Sequence, residues 1–125
     1  MANNPKDLRI NFKFWIETSE GISILGEGKW QLLKAIKVHG SLKNAIQKMG
    51  YSYRQTWDNL RKIEEKLQVK LIDKSRGGEK GGQTVLTPQG EKLVDFFDHL
   101  YNETEPYFRE KSEIMQIELR KIFES

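Results

Sequence analysis

The chain has 125 residues, a length that suits one domain of ordinary size with an appendage. It contains no cysteine, which excludes disulfides and thiolate metal sites. The formal net charge of +3 is unevenly spread: residues 28–84 hold thirteen Lys or Arg against five Asp or Glu, a local +8, while both flanks are acidic. A basic middle suits a polyanionic partner, although a solvated lysine-rich surface has the same composition. No apolar run approaches the roughly 20 residues of a membrane span. The polar start, Met1 to Lys6, lacks the apolar core of a signal peptide, so the expected location is the cytoplasm, with no membrane partner.

Leu8, Ile10, Phe12, Phe14 and Ile16 alternate with Arg9, Asn11, Lys13 and Trp15, a period of two that predicts a half-buried strand over 8–16. Thr18 to Gly21 reads as a turn and Ile22 to Leu25 as a short returning strand, giving an N-terminal β-hairpin in residues 1–27. A hairpin of this size is not stable alone and needs a surface to pack on.

Helical spacing begins after Gly26 to Gly28. Trp30, Leu33, Ile36 and Lys37 predict a helix from about Lys29 to His39, stopped by Gly40. Ser41 is placed to cap a second helix with Leu42, Ala45, Ile46 and Met49, ended by Gly50. Ser52 is placed to cap a third, in which Thr56, Leu60, Ile63 and Leu67 form one stripe. Leu71 to Ser75 and Thr84 to Leu86 read as strands around a glycine-rich turn, Arg76 to Gln83. Thr87-Pro88 is a strong helix start. The last helix carries Leu93, Phe96, Phe97, Leu100 and Tyr101, and Pro106 is expected to interrupt it before the apolar pattern resumes at Tyr107, Phe108, Met115, Leu119 and Ile122.

This order is a winged helix-turn-helix: mainly α with small β, comprising an N-terminal hairpin (1–27), the winged core (28–87) and a long C-terminal dimerisation helix (88–125), all in one structural domain. In that arrangement the third helix enters the major groove of a duplex, leading with its N-terminal residues. The candidate DNA-binding residues are therefore Ser41, Ser52, Tyr53, Arg54, Gln55, Asp58 and Arg61, with Arg76 and Lys80 of the wing set to approach phosphates. Arg bonds two acceptors of guanine and Gln pairs with adenine. Trp57 reads as packing that orients the helix. A single short domain reads few base pairs, so a homodimer on a palindrome is expected, joined through the last helix.

Other chemistries find little support. The wing fails the phosphate-loop pattern, because Gly82 is followed by Gln83 and then a strand. His39 and His99 are far apart in sequence, Glu64 and Glu65 point different ways on a helix, and no catalytic set, metal site or cofactor is expected. A protein-interaction module or a small oxyanion sensor remains the alternative to a duplex-binding regulator.

The motifs carry a resemblance. Gly40-Ser41-Leu42 with Ala45, Gly50-Tyr51-Ser52-Tyr53-Arg54 with Trp57-Asp58, the wing Arg76 to Gly82, and Val85-Leu86-Thr87-Pro88-Gln89-Gly90 resemble the N-terminal DNA-binding domain of the ModE-type molybdate-responsive regulators. LysR-type regulators are a more distant match, sharing Glu64-Glu65-Lys66-Leu67 and Leu86 to Gly90 but not the Tyr53 and Trp57 pattern. The ModE resemblance implies a dimeric bacterial or archaeal transcription regulator. Ser52, Tyr53, Arg54 and Gln55 then stand at the start of the recognition helix, and Arg76 and Lys80 on the wing. Full-length members sense molybdate through separate C-terminal domains. This sequence ends at Ser125 without them, so a stand-alone form is expected, and the resemblance does not carry over a molybdate response, which would have to come through a partner.

Overall fold

The computed structural model describes residues 7–75 and 83–124. Its elements are β1 (Ile16–Glu17), β2 (Ser23–Leu25), α1 (Glu27–His39), α2 (Leu42–Met49), α3 (Tyr53–Leu67), β3 (Ile72–Ser75), β4 (Gln83–Leu86) and α4 (Pro88–Ile122). This is a winged helix-turn-helix with a small N-terminal hairpin and a long C-terminal helix. The chain groups into two compact units, one of residues 14–97 and one of residues 1–13 with 98–125.

The larger unit is built on three capped helices. Gly40 ends α1 in the left-handed region and its N–H returns to Ile36 O. Ser41 Oγ accepts from Asn44 N, and Ser52 Oγ from Gln55 N, so each serine satisfies a helix-start donor that would otherwise be orphaned. Ile36, Leu33, Leu42, Ala45, Leu60 and Phe97 are almost wholly excluded from solvent and form the core. Phe97 stacks with Phe14 at 5.8 Å between ring centroids and meets Trp30 in a tilted pair at 5.1 Å. The β3–β4 ladder pairs Ile72 with Leu86 and Lys74 with Thr84, and Thr84 N donates to Gly40 O, which fastens the wing to the end of α1.

Two side chains lock the wing root. Glu64 Oε2 accepts from both Leu71 N (2.7 Å) and Ile72 N (3.2 Å), so α3 holds the chain as it enters β3. Thr87 N donates to Leu71 O, while its hydroxyl donates to Lys70 O (2.6 Å) and accepts from Gly90 N (3.0 Å). Gly90 is buried there, and any β-carbon on it would be driven into the carbonyl of Leu71.

Four expectations need correction. The segment 8–15 forms no ladder: only Ile16 and Glu17 pair with β2, with an irregularity between them. Its alternation of half-buried and exposed side chains nonetheless holds from Asp7 to Glu17. In the smaller unit the cause is a helix rather than a sheet: Ile10 N donates to Gln116 Oε1, Leu8 O accepts from Arg120 Nε, and Phe12 packs on Phe108 at 5.4 Å. An extended chain presents alternate side chains to any surface it crosses, so the period of two does not require a strand partner.

Pro106 does not end α4, which runs unbroken over 35 residues. The proline deletes one donor at a local cost of about 3 kcal/mol. The pairs Phe12–Phe108, Ile10–Gln116 and Arg120–Asp7 hold the helix beyond it, and Glu105 and Arg109 pair across the proline one turn apart. Leu67 is exposed, because α3 yields to a left-handed Gln68 at once and the core stripe stops at Ile63. On α4 the buried stripe is Gly90, Val94 and Phe97, which leaves Phe96 outside it and exposed.

Gly90→Ala should lower the free energy of unfolding by about 1–3 kcal/mol, since the clash is with backbone and relief requires α4 to move off β3. Glu64→Ala should cost roughly 1–3 kcal/mol by stranding two backbone donors. Denaturant unfolding monitored by circular dichroism checks both, with Glu65→Ala, an exposed neighbour, as the control expected to change little.

Candidate nucleic-acid interface

α3 owes its placement to one face. Thr56, Leu60 and Ile63, spaced i, i+4, i+7, are buried beneath it. Thr56 needs no further partner, because its hydroxyl donates to Ser52 O at 2.6 Å. The turn into α3 is tight: Gly50 sits at φ 71°, which suits glycine, and its N–H and that of Tyr51 both return to Ile46 O.

With that face committed, Arg54, Asp58, Arg61 and Glu65 form the opposite stripe, and all four are exposed. Gln55 and Tyr53 are exposed at the first turn, and Tyr51 is exposed just ahead of it. Ser52 is exposed and Ser41 half-buried. Both hydroxyls accept a capping bond, which leaves the O–H of each able to donate outward. The structure thus brings Ser52, Tyr53, Arg54, Gln55, Asp58 and Arg61 together on α3, and puts Ser41 at the start of α2. Arg76 and Lys80, with the rest of the glycine-rich turn 76–82, lie outside the described residues.

Trp57 stands at the flank of α3 that faces the wing, half-buried. Tyr53 meets its ring edge-on at 6.3 Å. Lys74 Nζ lies 4.7 Å from the ring centroid and the Arg61 guanidinium 5.9 Å from it. The indole N–H is shielded from solvent and has no hydrogen-bond acceptor among the described residues. The spacing of Trp57 and Arg61, one turn apart, makes their contact legible in the sequence. Lys74 was missed, and no local signal marks it, because it reaches the ring across the wing root. It lies on the β3 face shared with Ile72, directly opposite buried Thr84.

No group of three or more His, Asp or Glu side chains among the described residues is arranged to hold a metal ion. No helix among them is long and apolar enough to cross a membrane.

Comparison with known proteins bears out the resemblance read from the motifs. The chain is 37% identical to the molybdenum-pterin-binding protein MopB of Rhodobacter capsulatus over 70 residues, which are 56% of this chain and 26% of that protein. It is 33% identical to the DNA-binding transcriptional dual regulator ModE of Escherichia coli K12 over 69 residues, 55% of this chain and 26% of that one. The transcriptional regulator ModE of Haemophilus influenzae is 33% identical over 78 residues, 62% and 31% respectively. The chain therefore spans between a quarter and a third of the length of these relatives. The family model of bacterial regulatory helix-turn-helix proteins matches residues 28–91, from the first turn of α1 to the first turn of α4. With half of its length inside that match, the chain belongs to the LysR family of bacterial regulatory helix-turn-helix proteins.

Proposed function

We propose that the chain is a sequence-specific regulator of transcription that binds double-stranded DNA as a homodimer on a palindromic operator. The observation that carries this reading is the division of α3 into a buried stripe and an outward stripe that begins at its N-terminal turn. Arg54, Gln55 and Asp58 are the base readers. Ser41, Ser52 and Tyr53 supply hydroxyls for phosphate oxygens at the starts of α2 and α3. The net +8 of residues 28–84 adds sequence-independent attraction. Relatives named as transcriptional regulators match over 69 and 78 residues of this chain.

The dimer surface lies on the smaller unit. Phe108, Met115 and Ile122 recur at intervals of seven residues on α4, with Tyr107 and Ile114 alongside, and all are exposed. A seven-residue apolar repeat is what one helix presents to another when the two wind together. Phe12 meets one side of Phe108, but the rest of the series is open, and an aligned apolar series of this kind marks an interaction surface.

Selection of bound fragments from genomic DNA, followed by polarisation titrations, tests the reading. The expected outcome is a two-fold symmetric site bound far more tightly than scrambled duplex, with affinity falling steeply as salt rises. Arg54→Ala should erase roughly 1–3 kcal/mol of discrimination at one base pair while leaving binding to scrambled duplex nearly unchanged. Capture of a defined protein with no duplex binding at low salt would replace this reading by a protein-interaction module. Ile114→Glu should shift sedimentation from dimer to monomer, and a wild type that sediments as a monomer at all accessible concentrations would refute the dimer.

A further inference from the structure

The cations around Trp57 are unusual in what they lack. Arg61 from α3 and Lys74 from β3 both hold positions against the same indole ring. Neither makes an ion pair with a described acidic residue. Two cations brought to one small aromatic platform repel each other, and at an exposed site the ring alone compensates each only weakly. The arrangement becomes strongly favourable when an anion joins it.

The ring opens on a groove along the wing side of α3, lined by Trp57, Arg61, Lys70, Lys74 and the acidic pair Glu64 and Glu65. Three cations face two carboxylates there. One carboxylate is committed already, since Glu64 Oε2 accepts from Leu71 N and Ile72 N. The groove therefore presents net positive charge, close to the outward stripe of α3, through its member Arg61.

We infer that Lys74 and Arg61, held on the Trp57 ring, form a preorganised site for a backbone phosphate of the duplex, on the strand that flanks the groove read by α3. This inference rests on the proposed DNA-binding function and deepens it. Lys74 is the phosphate ligand contributed by the wing stem, Arg61 the ligand contributed by the helix, and Trp57 the positioning residue that holds each against its ring before DNA arrives. An ammonium already held on a ring has less conformational freedom to lose on binding than a lysine in free solvent. The device also couples helix to wing, because a phosphate held by both cations adds to the links that Glu64 and the Lys74–Trp57 contact already make. The shielded indole N–H supplies a spectroscopic signal at the centre of the site.

The test uses the full chain, a duplex bearing the selected operator and a scrambled duplex of equal length. Lys74→Gln should weaken binding to both duplexes by the same factor, and the slope of log affinity against log salt should become shallower by about one. Trp57→Phe should retain most of the affinity. Trp57→Leu should lose affinity for both duplexes alike, and adding it to Lys74→Gln should cost less than the two separate losses combined. The Trp57 indole N–H resonance, identified by its disappearance in Trp57→Phe, should move when either duplex is added to the wild type. That readout keeps the inference open to refutation if Trp57→Leu does not fold. A salt slope unchanged in Lys74→Gln, or an indole resonance that ignores both duplexes, would overturn the phosphate site while leaving the regulator reading intact. Absence of wild-type binding to any duplex at low salt would remove both.

Discussion

The burial of Thr56, Leu60 and Ile63 is the constraint on which the remainder of the molecule depends. It decides the rotation of α3 about its own axis, and every other role on that helix follows from the angle. A helix has 3.6 residues per turn, so fixing one face fixes what the flanks and the far side can do. The flank at Trp57 and Glu64 is turned to the wing, where Glu64 holds the start of β3. The far side, from Arg54 through Asp58 and Arg61, is left to solvent. Burying polar Thr56 in that stripe costs little, because the carbonyl of Ser52 accepts a hydrogen bond from its hydroxyl. The same threonine thereby ties the first turn of α3 to its own cap.

The second organising contact is at the wing root, where the hydroxyl of Thr87 serves two backbones at once. It closes the loop from α3 through the ladder of β3 and β4 and back to α4. Gly90 then allows α4 to begin directly against Leu71. The wing stem is therefore held at both of its ends by side chains whose partners are main-chain atoms, and a main-chain partner is present whatever side chains surround it.

Much of this was legible in the sequence because it is local. Gly40, Ser41, Gly50, Ser52 and Thr87-Pro88 act within one turn of themselves, and each marks an element end as expected. The stripe on α3 was legible as far as Ile63. Leu67 fell outside it because the helix end is set by Gln68, a residue whose left-handed conformation its type does not announce. The alternation of 8–16 reported correctly which side chains are covered but not what covers them, since periodicity describes a chain and not its partner. Pro106 misled for a related reason: its cost is local, whereas the contacts that outweigh it come from residues near the other terminus. On the candidate interface, the α3 residues follow from helical geometry alone. Lys74 does not, because its place against Trp57 depends on how β3 is folded back on the helix.

The allocation of α3 has a consequence for how such a protein changes its preferences over generations. Non-conservative changes at 56, 60 and 63 loosen the helix, and such changes at 57 and 64 disturb the wing. If the outward stripe reads bases as proposed, drift toward a new target passes through a handful of outward positions, chiefly 54, 55 and 58. Relatives with the same scaffold can then diverge in what they recognise by exchanging very few side chains, with the fold itself left unaltered.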